Sequence, residues 1–189
     1  MYFHIGDEGD QNVYVEAMLD ANSTACTLID LGEELDIERD GVELPFHFTM
    51  TVSPNLRPRL DDWFVVPNLM REELVLALRE VGVHNLQTFP AEIKRKDTGE
   101  LVPGYVVANI FGTVSCPQVT TRGAAPGVAY AFDYEVDPAR VGDKRLFRIA
   151  EINAFIIADE RIVEVLRARK SRGIAIVGLA DAPRAAGAQ

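Results

Sequence analysis

The chain has 189 residues, with 29 Asp plus Glu against 19 Lys plus Arg, and a formal charge of −10. At 48 % hydrophobic and 25 % charged residues it has an ordinary globular make-up, which excludes the disordered, fibrous and membrane-helix classes. A chain this long buries roughly 70 % of its extended surface, so a core is expected without metals or disulfides.

Tyr2 to Gly6 alternates and predicts a short strand, while Val13 to Asp30 fits helix or strand equally. Leu35 and Ile37 alternate with acids, Asp40-Gly41 offers a turn, and Val42, Leu44, Phe46 and Phe48 alternate again, which predicts a hairpin with one acidic side. Pro54 and Pro58 break regular structure and mark a seam. Asn68 is placed to cap a helix with Glu72 and Glu73 in its first turn, an inner face of Met70, Leu74, Leu78 and Val81, and Gly82 at its end.

Leu86–Arg95 and Leu101–Val107 read as a second hairpin around Lys96 to Glu100, and residues 120–127 as a loop. Val128 to Val136 alternates like a strand, and Phe147, Ile149 and Phe155 to Ala158 continue the sheet. Asp159 predicts the N-cap of a helix with Ile162, Val163 and Leu166 inward, basic residues in its last turn, and Gly173 closing it before a strand at Ile174 to Val177. The fold class is therefore α+β: a mainly antiparallel sheet with two or more packed amphipathic helices, in one body or two lobes.

The charge is unevenly spread. Residues 1–62 hold 14 acids and 3 bases, whereas residues 63–189 hold 15 and 16. A field of that sign repels nucleic-acid phosphates and favours a basic protein surface. The longest apolar runs, such as Ala154 to Ala158, are far too short to cross a bilayer. The N-terminus lacks a basic start followed by an apolar stretch, which predicts no secretory signal and a cytoplasmic location. Neither nucleic acid nor membrane is expected as a partner.

Catalytic and cofactor motifs are not found. Cys26 and Cys116 stand alone, without metal-ligand or redox spacing, and are expected to be reduced and buried. Neither a Gly-x-Ser-x-Gly turn, a His-Glu-x-x-His helix nor a phosphate-gripping Gly-rich loop occurs. His4, His47 and His84 lack recognisable partners, and Ser115-Cys116 lacks an activating motif. No catalytic residue, metal or cofactor is expected.

From Trp63 to Gly178 the chain resembles a known family. The matching stretches are Val65-Val66-Pro67 leading into a Leu-rich helix, Gly82 to Ile93 with its Phe89-Pro90 strand, Gly104 to Val114 with Asn109, Val141 to Ile149 with its Phe147-Arg148 strand, and Ile156 to Ile162. They resemble the immunity-protein family of bacterial polymorphic toxin systems, formerly a domain of unknown function abundant in myxobacteria. The resemblance implies a non-enzymatic α+β protein that binds and neutralises a cognate toxin inside the producing cell, and it carries over no binding residue. Charge sets apart an acidic, partner-facing lobe (1–62), the resemblance a family-like domain (63–179), and the small, Pro-containing composition of 180–189 predicts a mobile tail. Charge then points to a basic toxin met by Glu33, Glu34, Asp36, Glu38, Asp40 and Glu43, with Asp61, Asp62 and Trp63 near the seam. The alternative is a binding or regulatory module for another cytoplasmic protein.

Overall fold

The computed structural model describes residues 1–8, 13–17, 19–52, 60–116, 120–122, 131–133 and 136–179. The fold is α+β. A five-stranded sheet has the order β13-β1-β12-β11-β8, built from β1 (Tyr2–Asp7), β8 (Thr113–Val114), β11 (Leu146–Ile149), β12 (Ile152–Asp159) and β13 (Ile174–Gly178). A six-stranded sheet has the order β2-β3-β6-β7-β5-β4, from β2 (Val13–Ala17), β3 (Phe46–Val52), β4 (Trp63–Phe64), β5 (Leu69–Arg71), β6 (Leu86–Arg95) and β7 (Tyr105–Ile110). Pairing is antiparallel except at β3 with β6 and β8 with β11. A separate two-stranded pair joins β9 (Thr120–Arg122) to β10 (Ala131–Asp133). Four helices complete the described residues: α1 (Leu19–Leu31), α2 (Glu72–Glu80), α3 (Pro138–Val141) and α4 (Glu160–Arg169).

Both sheets draw strands from either side of residue 62. β1 lies between β12 and β13, pairing Phe3 with Ala158 and Gly178, and β3 pairs with β6 through Phe48 and Ile93. Apolar side chains of both sheets meet in one core with α2 and α4: Trp63, Met70 and Ile110 face Phe3, Ile5 and Ile156, with Leu74, Leu78, Ile162 and Leu166 beside them. On the other face of the six-stranded sheet Phe46, Phe48, Phe89, Ile93 and Val107 pack under Ala25 and Ile29 of α1 and under Leu35 and Val42.

Several predicted features stand in the structure. Asp159 caps α4 by accepting from the Ile162 N–H at 3.0 Å, and Ile162, Val163 and Leu166 are buried. The second hairpin is β6 and β7. Residues 13–30 resolve their ambiguity by being both, a strand and then a helix. Other features differ. Asn68 does not cap α2; it sits at φ 65° in the turn joining β4 to β5, a left-handed position that Asn tolerates, and α2 starts after Arg71 without a side-chain cap. Leu35 and Ile37 form no strand, so the acidic hairpin is absent, for reasons given below. Of the expected 128–136 strand the described part is Ala131–Asp133, while 128–130, the Pro54–Pro58 seam, residues 123–127 and the 180–189 tail lie outside the described residues.

Candidate protein-binding site

The acidic connection between α1 and β3 is built from two glycine turns. After Leu31, Gly32 takes φ 72°; its N–H donates to Ile29 O and that of Glu33 to Leu28 O, the paired bonds of a left-handed helix stop. A side chain at Gly32 is doubly excluded, because a Cβ there would lie 2.9 Å from Arg148 Cδ. The arrangement repeats at Gly41, φ 62°, where the N–H of Gly41 donates to Glu38 O and that of Val42 to Ile37 O. Between them the Asp36 carboxylate accepts from the N–H groups of Glu38 (3.1 Å) and Arg39 (2.8 Å), while the Asp36 N–H donates to Asp40 Oδ2 (2.8 Å). These local bonds wind the chain into a turn in place of the predicted strand, the usual competition between Asp side chains and ladder pairing. Arg39 grips Asp40 through two bonds of 2.8 Å, and that guanidinium holds the Asp40 carboxyl down at about 2.

The connection is tied to the sheet by side-chain amides. Gln87 of β6 and Asn109 of β7 are cross-strand partners, two residues along from the apolar pair Phe89 and Val107 and so on the same face of the sheet. Where the apolar row ends, these carboxamides take over. Gln87 accepts from the Leu35 N–H and donates to Leu35 O, both at 2.9 Å, pairing with that residue as a strand neighbour would. Asn109 Nδ2 donates to Glu33 O at 2.8 Å and to Gln87 Oε1 at 3.0 Å, and the Gly112 N–H donates to Gly32 O. Asn109 is fully buried, and its Oδ1 is a buried side-chain atom with no hydrogen-bond partner among the described residues.

Below the turn lies a buried cation that sequence reasoning missed. Arg148 is 3 % exposed; its guanidinium donates to Ile110 O, Asn153 O and Asn68 Oδ1, and Asn68 Nδ2 donates to Asp30 Oδ1 at 3.0 Å. Burial lowers the Arg148 pKa, which the Asp30 charge partly offsets. The Asp30–Asn68–Arg148 relay therefore ties the last turn of α1 to both sheets. The single signal in the sequence was an Arg inside an apolar strand, which alone names no partner.

The predicted contact residues fall into two groups. Glu33, Glu34, Asp36, Glu38 and Glu43 are exposed on the connection and Asp40 is half-buried there. Asp61 and Trp63 are buried, at 4 % and 1 % exposure, and present no surface: Gly173, at φ 85°, packs directly on their backbone and side-chain atoms, and Tyr105 donates its hydroxyl to Asp61 O at 2.6 Å. Asp62 accepts from the Arg172 N–H at 2.9 Å at the edge of an open cleft of about 500 Å³ shared with Arg71, Arg169 and Lys170, so its charge is met from within the chain.

Three exposed apolar side chains belong to the same stretch as the acids. Leu31 is 42 %, Ile37 45 % and Leu44 40 % exposed, three of the eight large exposed hydrophobics among the described residues. Elsewhere, Ser115 Oγ donates to Glu151 at 2.7 Å and the Cys116 N–H to the same carboxylate, while burial raises the Cys116 thiol, which works against a thiolate. Cys116 is buried as expected, whereas Cys26 is half-buried. Among the described residues no helix is long and apolar enough to cross a membrane.

No protein-family model matches the chain, and no curated relative was found for it.

Proposed function

We propose that the chain is a non-enzymatic binding protein of the cytoplasm that neutralises a cognate, basic toxin domain through its acidic 33–43 connection, as the resemblance to toxin-system immunity proteins implies. The observation that carries this reading is a run of exposed carboxylates whose backbone is fixed by Gln87 and Asn109. A surface held in one conformation before binding loses little entropy on docking, and a dense negative field speeds encounter with a positive partner.

The structure also selects the acids to mutate. Asp36 and Asp40 build the turn, so they are poor probes of binding. Glu33, Glu34 and Glu38 use their side chains in no described hydrogen bond or ion pair and are exposed. Reversing all three to Lys is expected to slow association with the protein encoded in the adjacent gene by about tenfold or more at low salt and to flatten the salt dependence of the rate. Co-expression with that protein reads the function itself: the chain is expected to restore growth and to co-purify. An unchanged association rate sinks the acidic-surface reading; absence of rescue and of a complex sinks the toxin reading.

A further inference from the structure

We propose that the cleft between the start of α2 and the end of α4 binds the phosphate group of a small molecule, gripped by Arg71 from one wall and Lys170 from the other. The inference goes beyond the toxin reading and does not depend on it.

The cleft holds about 500 Å³, within the size range of small-ligand sites, and four cations line it: Arg71, Arg169, Lys170 and Arg172. The end of α4 accounts for cations on its own wall, because a helix C-terminus favours positive charge. Arg71 has no such explanation. It stands at the N-cap of α2, the positive end of that helix, where a cation is disfavoured and no side chain caps the first turn. Its guanidinium is nonetheless held in place, lying over the Tyr105 ring at 4.1 Å while Nη1 donates to Pro103 O at 3.1 Å. Gly104 leaves the room for it, since a Cβ there would approach Nη1 to 3.1 Å. The remaining N–H groups form a preset fork for an anion.

The carboxylates of the cleft leave this pair unmatched. Asp62 engages Arg172, accepting its backbone N–H at 2.9 Å with Nε 3.7 Å away, and the side chain of Glu73, 87 % exposed, reaches Arg169 at 3.7 Å. Glu72 is exposed, and neither Arg71 nor Lys170 forms an ion pair among the described residues. Lys170 adds an independent sign. It holds φ 54°, where the stops at Gly32, Gly41 and Gly82 use glycine, so a charged side chain is kept here against a steric cost. A phosphate ester offers three acceptor oxygens and up to two negative charges, which match a planar fork, a point charge and the first-turn N–H groups of α2. With a net charge of −10 the chain as a whole repels anions, so binding would have to come from these local groups.

A titration with inorganic phosphate at constant ionic strength, followed by amide chemical shifts, reads the site directly. Saturable changes are expected at Glu73, Leu74 and Lys170. Lys170→Gly and Arg71→Gln are each expected to weaken binding by about tenfold, and Lys170→Arg to retain most of it. Lys170→Gly separates site from fold, because it should raise the unfolding midpoint while binding is lost, a combination that a merely structural lysine would not give. Adenosine monophosphate and adenosine distinguish the sources of the phosphate. Tighter binding of the monophosphate than of inorganic phosphate assigns the site to a phosphate ester, equal or weaker binding assigns it to free phosphate, and adenosine should not bind.

The proposal is overturned if the shifts at these amides do not saturate by about 20 mM phosphate. It is equally overturned if sodium chloride at the same ionic strength reproduces them, if adenosine binds as well as its monophosphate, or if Lys170→Gly and Arg71→Gln both bind like the wild type. None of these results bears on the acidic connection.

Discussion

At the scale of single residues, glycine and lysine close equivalent helical turns. Gly32, Gly41 and Gly82 all take positive φ where a helical turn stops, and the C-terminus of α4 closes with the same bonds around Lys170 at φ 54°. A lysine there bears a steric cost that glycine lacks. Lys170→Gly is therefore expected to stabilise the protein by about 0.5–1 kcal/mol in chemical denaturation, whereas replacing Gly173 by Ala should destabilise it severely, since a Cβ would strike Trp63 O and Asp61. His4 supplies a pH dependence. Its ring packs on Phe155 at 4.7 Å between centroids, and burial lowers its pKa below the usual value. Above the unfolded-state value of about 6.5 both states are neutral and His4 costs nothing; as pH falls below it the unfolded chain takes up a proton that the folded chain resists. Stability should thus decline as pH falls below about 6.5, and His4→Gln should flatten that decline in urea titrations at each pH.

At the scale of elements, local and distant information separate cleanly. The α4 N-cap, its buried face, the Gly82 stop and the β6–β7 hairpin follow from neighbouring residues and were legible in the sequence, whereas α4 closes at Lys170 and not at the predicted Gly173. The acidic connection was misread as a hairpin because alternation at Leu35 and Ile37 and a Gly turn are shared by hairpins and by Asp-captured turns. What decides is Asp36 taking two N–H groups, which periodicity does not encode. Its anchoring was illegible for another reason: Gln87 and Asn109 read as two polar interruptions of apolar strands until the sheet places them side by side. Replacing Gln87 by Leu keeps the surface charge and removes both bonds to Leu35. Amide exchange at Leu35 is expected to accelerate by one to two orders of magnitude, with a stability loss of about 1–3 kcal/mol for the stranded polar groups. Exchange unchanged at Leu35 would show that the clamp does not hold the turn.

At the scale of the whole molecule, the charge of −10 resolves into parts with different fates. Asp61 is buried and Asp62 is met by Arg172, so of the acids named from the sequence those of the connection face solvent more than the two placed near the seam. The division at residue 62 marks a change in composition and not a break between sheets, because β1, β2 and β3 are each paired inside sheets that continue beyond it. Composition along a chain says nothing of which strands become neighbours. Deleting Met1–Asp7 tests this: it would leave β12 and β13 about 10 Å apart with an empty row between them, and loss of cooperative unfolding by circular dichroism is expected. The position of β1 also orders events during synthesis. It is made well before the two strands that flank it, which come late among the described residues. At roughly 5–20 residues per second, β1 waits on the order of ten to thirty seconds for β13. Ile5, fully buried in the finished sheet, lacks its sheet neighbours for that interval, so the five-stranded sheet closes only after β13 has been made.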